Sequence, residues 1–410
     1  MEVQVFALVM GGGATAARKQ GMSGGDRIII ECSRRWARRG VSLAIHTTEN
    51  GRLVYARYVT RGVQGPKIIS HASGIATAGT AIATAFFIAK TTFVVPDVMQ
   101  NIRRASRETV FYSASDLWPD VLAGYLAKKR VPRCKWIGTL YQFAPSPLNP
   151  GFPYRTRNLL RGLLLYLAQR VSLMLLKRAD MIWVTNPLDQ KAVSSLLGLP
   201  LGRVIAVKGG VDHALSAAVP ETSQKLYDAV FIGRLHPQKG ALELLDIWKI
   251  VVERRPGARL AIIGDGYLEG VLREKAHKLG LESLVSFCGF VDGVEKVRIF
   301  KASRIVVHPA IYDSGGMAAC EAMVCGLPGV SFDLDTLREY YPVGMLKAPV
   351  GNYKEFATLI IRLLEDEVLY SRLSQEARSY AETWDWDARA RELLHFVESL
   401  LSEKPASRTL

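Results

Sequence analysis

The feature that most constrains this chain is a regular alternation in its C-terminal half. Apolar runs of strand length are each followed by an amphipathic stretch of helix length: 229–233 then 242–255, 259–263 then 267–279, 285–288 then 294–301, and 305–308 then 316–325, before a last run at 329–332. Strands joined through a helix run parallel, because the chain is carried back over the sheet before it re-enters. The runs are apolar at successive positions, as strands covered by helices on both faces require. The pattern predicts a doubly wound α/β sheet.

The N-terminal half repeats the style. Residues 3–10, 41–47, 109–112, 136–140 and 181–184 read as buried strands. Gly21-Met22-Ser23-Gly24-Gly25 leads into a helix to about Arg39, closed by Gly40. The seam lies near 204–211. The 410 residues therefore divide into a domain at 1–205, a second at 206–380, and a tail at 381–410. The helical stretch 377–401, around Trp384-Asp385-Trp386, is expected to pack back on the first domain. Residues 74–89 are uncharged but short for a spanning helix, and read as a core helix.

Charge separates the halves. Residues 1–200 hold 27 Lys and Arg against 10 Asp and Glu, a net +17, whereas residues 201–410 hold 26 against 28, a net −2. A basic half implies anionic partners: phosphorylated substrates, anionic lipid or nucleic acid. No helix-turn-helix, RRM or OB pattern supports nucleic acid. The five cysteines are scattered without a CxxC pair, and no basic segment precedes the first apolar run, so the reading is a cytoplasmic protein with reduced thiols. Residues 158–177 are dense in leucine, with Arg155, Arg157, Arg161, Arg170, Lys177 and Arg178 on or beside them. They fit equally a helix lying in a membrane interface and a buried helix flanked by solubilising arginines.

Three motifs follow strands of the second half, at the carboxyl ends where open α/β sheets bind ligands. In Gly233-Arg234-Leu235-His236-Pro237-Gln238-Lys239-Gly240, two cations stand near a helix start, suited to a diphosphate or simply solvated. Gly264-Asp265-Gly266 lacks the third glycine of a dinucleotide fingerprint and reads also as a plain tight turn. Asp313-Ser314-Gly315-Gly316-Met317-Ala318-Ala319-Cys320-Glu321 places two glycines at a helix start, one acid before it and one acid inside it. Glu-Ala-Met-Val-Cys-Gly-Leu-Pro runs on from Glu321 to Pro328.

This third stretch, with Arg234 and Lys239 upstream, resembles the donor half of a family 4 retaining glycosyltransferase with the GT-B fold, two doubly wound domains facing each other across a cleft. The family signature is two glutamates with seven residues between them; Asp313 stands in the first place, one methylene shorter, and Glu321 in the second. The resemblance implies that Arg234 and Lys239 bind the donor pyrophosphate, Glu321 the ribose, and Asp313 the sugar. Ser314, Gly315, Gly316 and Met317 would give the backbone there, with Gly233, Gly264 and Gly266 beside the donor. Phe290 and Val291 resemble the loop flanking the nucleobase, and Gly24 and Gly25 the N-terminal glycine loop. Lys208-Gly209-Gly210-Val211-Asp212 resembles an interdomain Asn-Gly-Val-Asp segment with Gly209 in place of Asn.

The implied reaction moves a hexosyl group from a UDP- or GDP-sugar to a hydroxyl acceptor with retention, without a metal or other cofactor. A lipid-linked or cell-envelope acceptor at the inner membrane face fits the basic half. One departure is that the loop Leu140-Tyr141-Gln142-Phe143-Ala144-Pro145 lacks the histidine many relatives carry. Tyr141, Gln142 and Asp116 are the acceptor-side candidates, Asp116 serving equally as a helix N-cap. Asp333-Leu334-Asp335 has the letters of a metal motif but reads as a loop. A silent sugar-nucleotide-binding protein and a sugar-nucleotide epimerase are the alternative functions.

Overall fold

The computed structural model describes residues 1–10, 23–58, 65–71, 92–102, 108–148 and 159–402. The expected core helix at 74–89 lies outside these residues, as do Arg155 and Arg157. The chain forms two compact units, one of Met1–Asn149, Tyr154–Lys208 and Trp386–Leu410, the other chiefly Gly209–Asp385.

The first unit runs β1 (Glu2–Ala7), α1 (Gly24–Arg38), β2 (Ser42–Thr48), α2 (Glu49–Ala56), β3 (Lys67–His71), α3 (Val95–Asn101), β4 (Thr109–Ser113), α4 (Trp118–Arg130), β5 (Lys135–Leu140), α5 (Leu159–Leu176), β6 (Met181–Val184), α6 (Pro187–Leu197) and β7 (Val204–Ala206). Its seven strands are ordered β3-β2-β1-β4-β5-β6-β7, all parallel. The second unit runs α7 (His213–Ala218), β8 (Tyr227–Ile232), α8 (Ala241–Arg254), β9 (Leu260–Ile263), α9 (Glu269–Lys278), β10 (Val285–Gly289), α10 (Gly293–Lys301), β11 (Ser303–His308), α11 (Met317–Met323), β12 (Gly329–Phe332), α12 (Asp335–Tyr340), β13 (Met345–Ala348), α13 (Tyr353–Glu365) and α14 (Glu367–Glu382). Its six parallel strands are ordered β10-β9-β8-β11-β12-β13.

Strands β3, β7 and β13 carry no signal in the sequence reading, and all three are sheet edges. An edge strand is covered less completely, so Lys67 and Ser70 in β3 and Lys347 in β13 interrupt the apolar run. The first strand ends at Ala7 rather than Met10. The single helical stretch expected at 377–401 is two helices. The first, α14, buries Ala377 and Ala381 in the second unit's core. The second, α15 (Trp386–Ser402), belongs to the first unit, where Trp36 Nε1 donates to the Ala390 carbonyl at 2.7 Å. Between them, Val211 N–H donates to the Trp384 carbonyl at 2.8 Å, so the second unit's entry and exit strands lie side by side.

A buried histidine pair braces the first sheet. His46 Nε2 lies 2.6 Å from Gln4 Oε1, which only accepts, so Nδ1 is the acceptor toward His71 Nε2 at 3.1 Å. Burial, then His71 and Lys67, pushes His46 down to about 3, and burial lowers His71 as well. Neutral histidine is thus the folded form. The stabilisation is complete above the unfolded value of about 6.5 and is lost as pH falls toward 3. Melting temperature measured across this window should fall progressively, and His46→Asn should flatten the slope.

Candidate functional site

In the second unit the strand order reverses between β8 and β11, so the loops leaving these strands diverge and open a crevice at their carboxyl ends. Four loops meet there through their backbones. Gly233 N–H donates to the Ile263 carbonyl at 3.0 Å, Leu235 to Asp265 at 2.8 Å, Gly264 to Gly289 at 2.9 Å, and Ile311 to Gln238 at 3.0 Å. The approach is too close for side chains. A Cβ on Gly264, whose φ is +143°, would lie 1.9 Å from the Gly233 carbonyl oxygen, and one on Gly266 2.5 Å from that of Leu235. The Gly-Asp-Gly motif thus locks one loop against the next.

On this platform stand the charged candidates. Lys239 Nζ contacts Asp313 Oδ2 at 2.6 Å, and His308 Nε2 lies 3.2 Å from the same oxygen. Oδ1 accepts from Gly315 N–H at 3.3 Å. The Asp313 side chain is 4% exposed. Burial alone would raise its pKa, but the Lys239 charge and the His308 contact hold it far below the usual carboxylate range. Burial lowers His308, so the imidazole serves as a neutral donor. Arg234 stands exposed on the same loop as Lys239, with no ion-pair partner among the described residues.

Glu321, on α11, is held by Lys296 of α10 at 3.0 Å, and Lys296 also contacts Asp292 at 2.7 Å. Lys296 is 7% exposed and escaped the sequence reading, because a lysine on an amphipathic helix reads as surface. The paired glycines have a packing role: a Cβ on Gly315 would lie 2.3 Å from Tyr340 Cζ, and one on Gly316 2.9 Å from His308 Nε2. Ser314 is buried beside them. Met317 packs on Gly209, where a Cβ would lie 2.0 Å from its sulfur, so the glycine in place of asparagine makes room for this methionine. Phe290 and Val291 are half-buried just beyond β10.

The first unit has its own switch point between β1 and β4. Ser23 and Asp26 form a capping box at the start of α1, each side chain accepting the other's backbone N–H at 3.1 and 3.0 Å. Gly24 begins the helix. Gly25 lies under Tyr141, whose Cδ2 would be 2.5 Å from an added Cβ, and Tyr141 Oη meets Tyr112 Oη at 3.0 Å. Asp116 does not cap α4, whose N-cap is Leu117. Its Oδ2 instead accepts from Gln169 Nε2 at 2.7 Å; the same nitrogen donates to the Gln142 carbonyl at 2.8 Å, and Gln169 Oε1 accepts from Ala144 N–H at 2.7 Å. The loop without a histidine is thus clamped by a glutamine of α5. Burial raises the Asp116 pKa. The Gln142 side-chain nitrogen is buried without a hydrogen-bond partner among the described residues.

Asp120 was not singled out from sequence, where it reads as an acid in a helix first turn. It is fully buried, accepts Leu8 N–H at 2.7 Å and the Ser115 hydroxyl at 2.6 Å, and burial pushes it up to about 8. Asp333 and Asp335 are both taken by Arg338, at 2.6 and 3.0 Å, and Asp335 opens α12 rather than lying in a loop.

The fold therefore brings Asp313, Lys239 and His308 into contact, joins Glu321 to Lys296, and gathers Gly25, Tyr141, Gln142 and Asp116 at the other sheet's switch point. Two parallel Rossmann-like units with these sites define a GT-B fold. The chain is similar to sucrose-phosphate synthase of Thermosynechococcus elongatus, with a TM-score of 0.75 at 16% identity over 98% of this chain and 99% of that one. It is similar also to HepE of Anabaena, solved in complex with UDP-glucose, with a TM-score of 0.71 at 16% identity over 97% and 100%. Residues 216–380 match the family model of glycosyl transferases group 1. Phosphatidyl-myo-inositol mannosyltransferase of Mycobacterium leprae is 31% identical over 176 residues, 42% of this chain and 46% of that protein. The chain spans about half the length of the curated relatives it matches.

Proposed function

We propose that this protein transfers a hexosyl group from a UDP- or GDP-sugar to a hydroxyl of a lipid-linked or cell-envelope glycan acceptor, with retention. The observation that carries the reading is the buried Lys239–Asp313–His308 contact beside Arg234, at the switch point of the unit that matches the group 1 family. Arg234 and Lys239 would face the donor diphosphate and stabilise the charge it gains on leaving. Glu321, oriented by Lys296, would accept from the ribose hydroxyls.

Asp313 is poorly suited to be a nucleophile, since Oδ2 is engaged by two partners and Oδ1 by a backbone N–H. That favours same-face transfer over double displacement. The bond from the anomeric carbon to the diphosphate oxygen breaks, the acceptor oxygen bonds to the same face, and its proton passes to the departing phosphate. Asp313 would accept hydrogen bonds from the sugar instead. The name of the mycobacterial relative and the basic first unit support the acceptor class.

Melting curves with a panel of nucleotide sugars test this. A cognate donor at a hundredfold excess over its Kd should stabilise the protein by about 2.7 kcal/mol. If no UDP- or GDP-sugar raised the melting temperature, the donor assignment would fall. A shift without transfer to any hydroxyl acceptor would favour the silent sugar-nucleotide-binding protein, which the missing loop histidine also suits.

A further inference from the structure

Helix α5 is apolar nearly all round, yet it is not buried. Leu159, Leu160, Leu164, Leu167, Val171 and Met174 are 51%, 59%, 40%, 52%, 40% and 65% exposed. At 3.6 residues per turn they fall within one arc of about 140°, so the outward face is a continuous apolar ridge. A helix on a water-facing surface shows the reverse arrangement. The inner face is fixed to the protein: Leu173 and Leu176 lie in the first unit's core, and Gln169 clamps the loop at 142–144. Among the described residues no helix is long and apolar enough to cross a membrane. Bolted along one side, α5 can only lie flat.

The segment that carries the ridge is strongly basic. Residues 121–179 contain 11 Lys and Arg and no Asp or Glu. Lys177 and Arg178 are exposed at the C-terminal end of α5. Lys128, at the end of α4, meets Asp180 just beyond them at 2.8 Å, and brings the exposed Lys129, Arg130 and Arg133 to the same end. An apolar ridge ending in a cationic cluster matches the boundary of an anionic bilayer, acyl chains below and phosphate headgroups above. A second copy of the chain would bring its own cations against these.

We propose that α5 is the seat of the protein on an anionic membrane surface, its leucine ridge sunk into the acyl boundary and Lys129, Arg130, Arg133, Lys177 and Arg178 against the headgroups. This deepens the acceptor class proposed above. Because Gln169 of α5 also holds Asp116 and the 142–144 loop, the seat is built into the acceptor-side switch point.

Co-sedimentation of the full chain with vesicles tests it, without recourse to transfer. The wild type should sediment with phosphatidylglycerol-containing vesicles, much less with phosphatidylcholine alone, and less at high salt. The variant L164D/L167D should bind at least about tenfold more weakly, and K177E/R178E should lose the preference for anionic lipid. An unchanged melting temperature and an unchanged nucleotide-sugar shift would certify that both variants fold. Wild-type protein left in the supernatant, or full binding by L164D/L167D, would overturn the proposal. So would a lipid-free dimer abolished by L164D/L167D without vesicle binding, which would assign the ridge to a second copy. Vesicle binding without any donor shift would sink the transferase reading and leave the seat standing.

Discussion

Lys239→Ala should lower transfer by roughly 10²–10³ in kcat and unfolding free energy by about 3 kcal/mol. The two losses have different origins. The first is the cation proposed to face the leaving diphosphate. The second is the counter-ion of Asp313, a carboxylate only 4% exposed that is left with a neutral histidine and a single backbone donor. Guanidinium denaturation and steady-state transfer read them separately. In K239M/D313N both charges are gone, so stability should largely return while transfer stays lost. Glu321→Ala makes the contrast. Lys296 keeps Asp292 at 2.7 Å, so the melting temperature should hardly move while transfer collapses. Full transfer by Lys239→Ala and Glu321→Ala would remove the donor site from this crevice.

Gly264→Ala should destabilise the second unit by about 3 kcal/mol, adding backbone strain to a steric clash. The new methyl would sit 1.9 Å from the Gly233 carbonyl, and neither loop can yield without breaking the Gly233–Ile263 or Gly264–Gly289 hydrogen bond. Opening that seam displaces the loop that carries Arg234 and Lys239, so donor affinity should fall with stability. Gly257→Ala is the control. Its φ of +84° imposes strain, but an added Cβ has nothing within 4 Å. It should cost only about 1 kcal/mol, with donor binding intact. Equal denaturation midpoints for the two variants would mean that the close approach of the loops is unimportant.

Much of the second unit could be read from the chain because its signals are local. Strands covered on both faces show as unbroken apolar runs, and the 313–328 stretch holds its acids, glycines and helix stop within a few turns. The edge strands were not legible, since half-covered backbone tolerates Lys67 and Lys347. Nor was Lys296, 25 residues from the carboxylate it orients. In the first unit, sequence could name Asp116, Tyr141 and Gln142 only as neighbours of strand ends. That a glutamine from α5 binds Asp116 and the backbone at 142 and 144 depends on packing across 25 residues or more.

Two parallel sheets and the carboxyl-end motifs can be read from the chain alone, because hydrophobic periodicity and backbone turns are properties of short segments. Tertiary structure alone decided which charges are spent on each other. Lys239 and Asp313, 74 residues apart, meet only because β8 and β11 are neighbours at the point where the strand order reverses. It also decided that the leucine face of α5 points away from the core, since a helix apolar on every side carries no internal instruction about which side to bury.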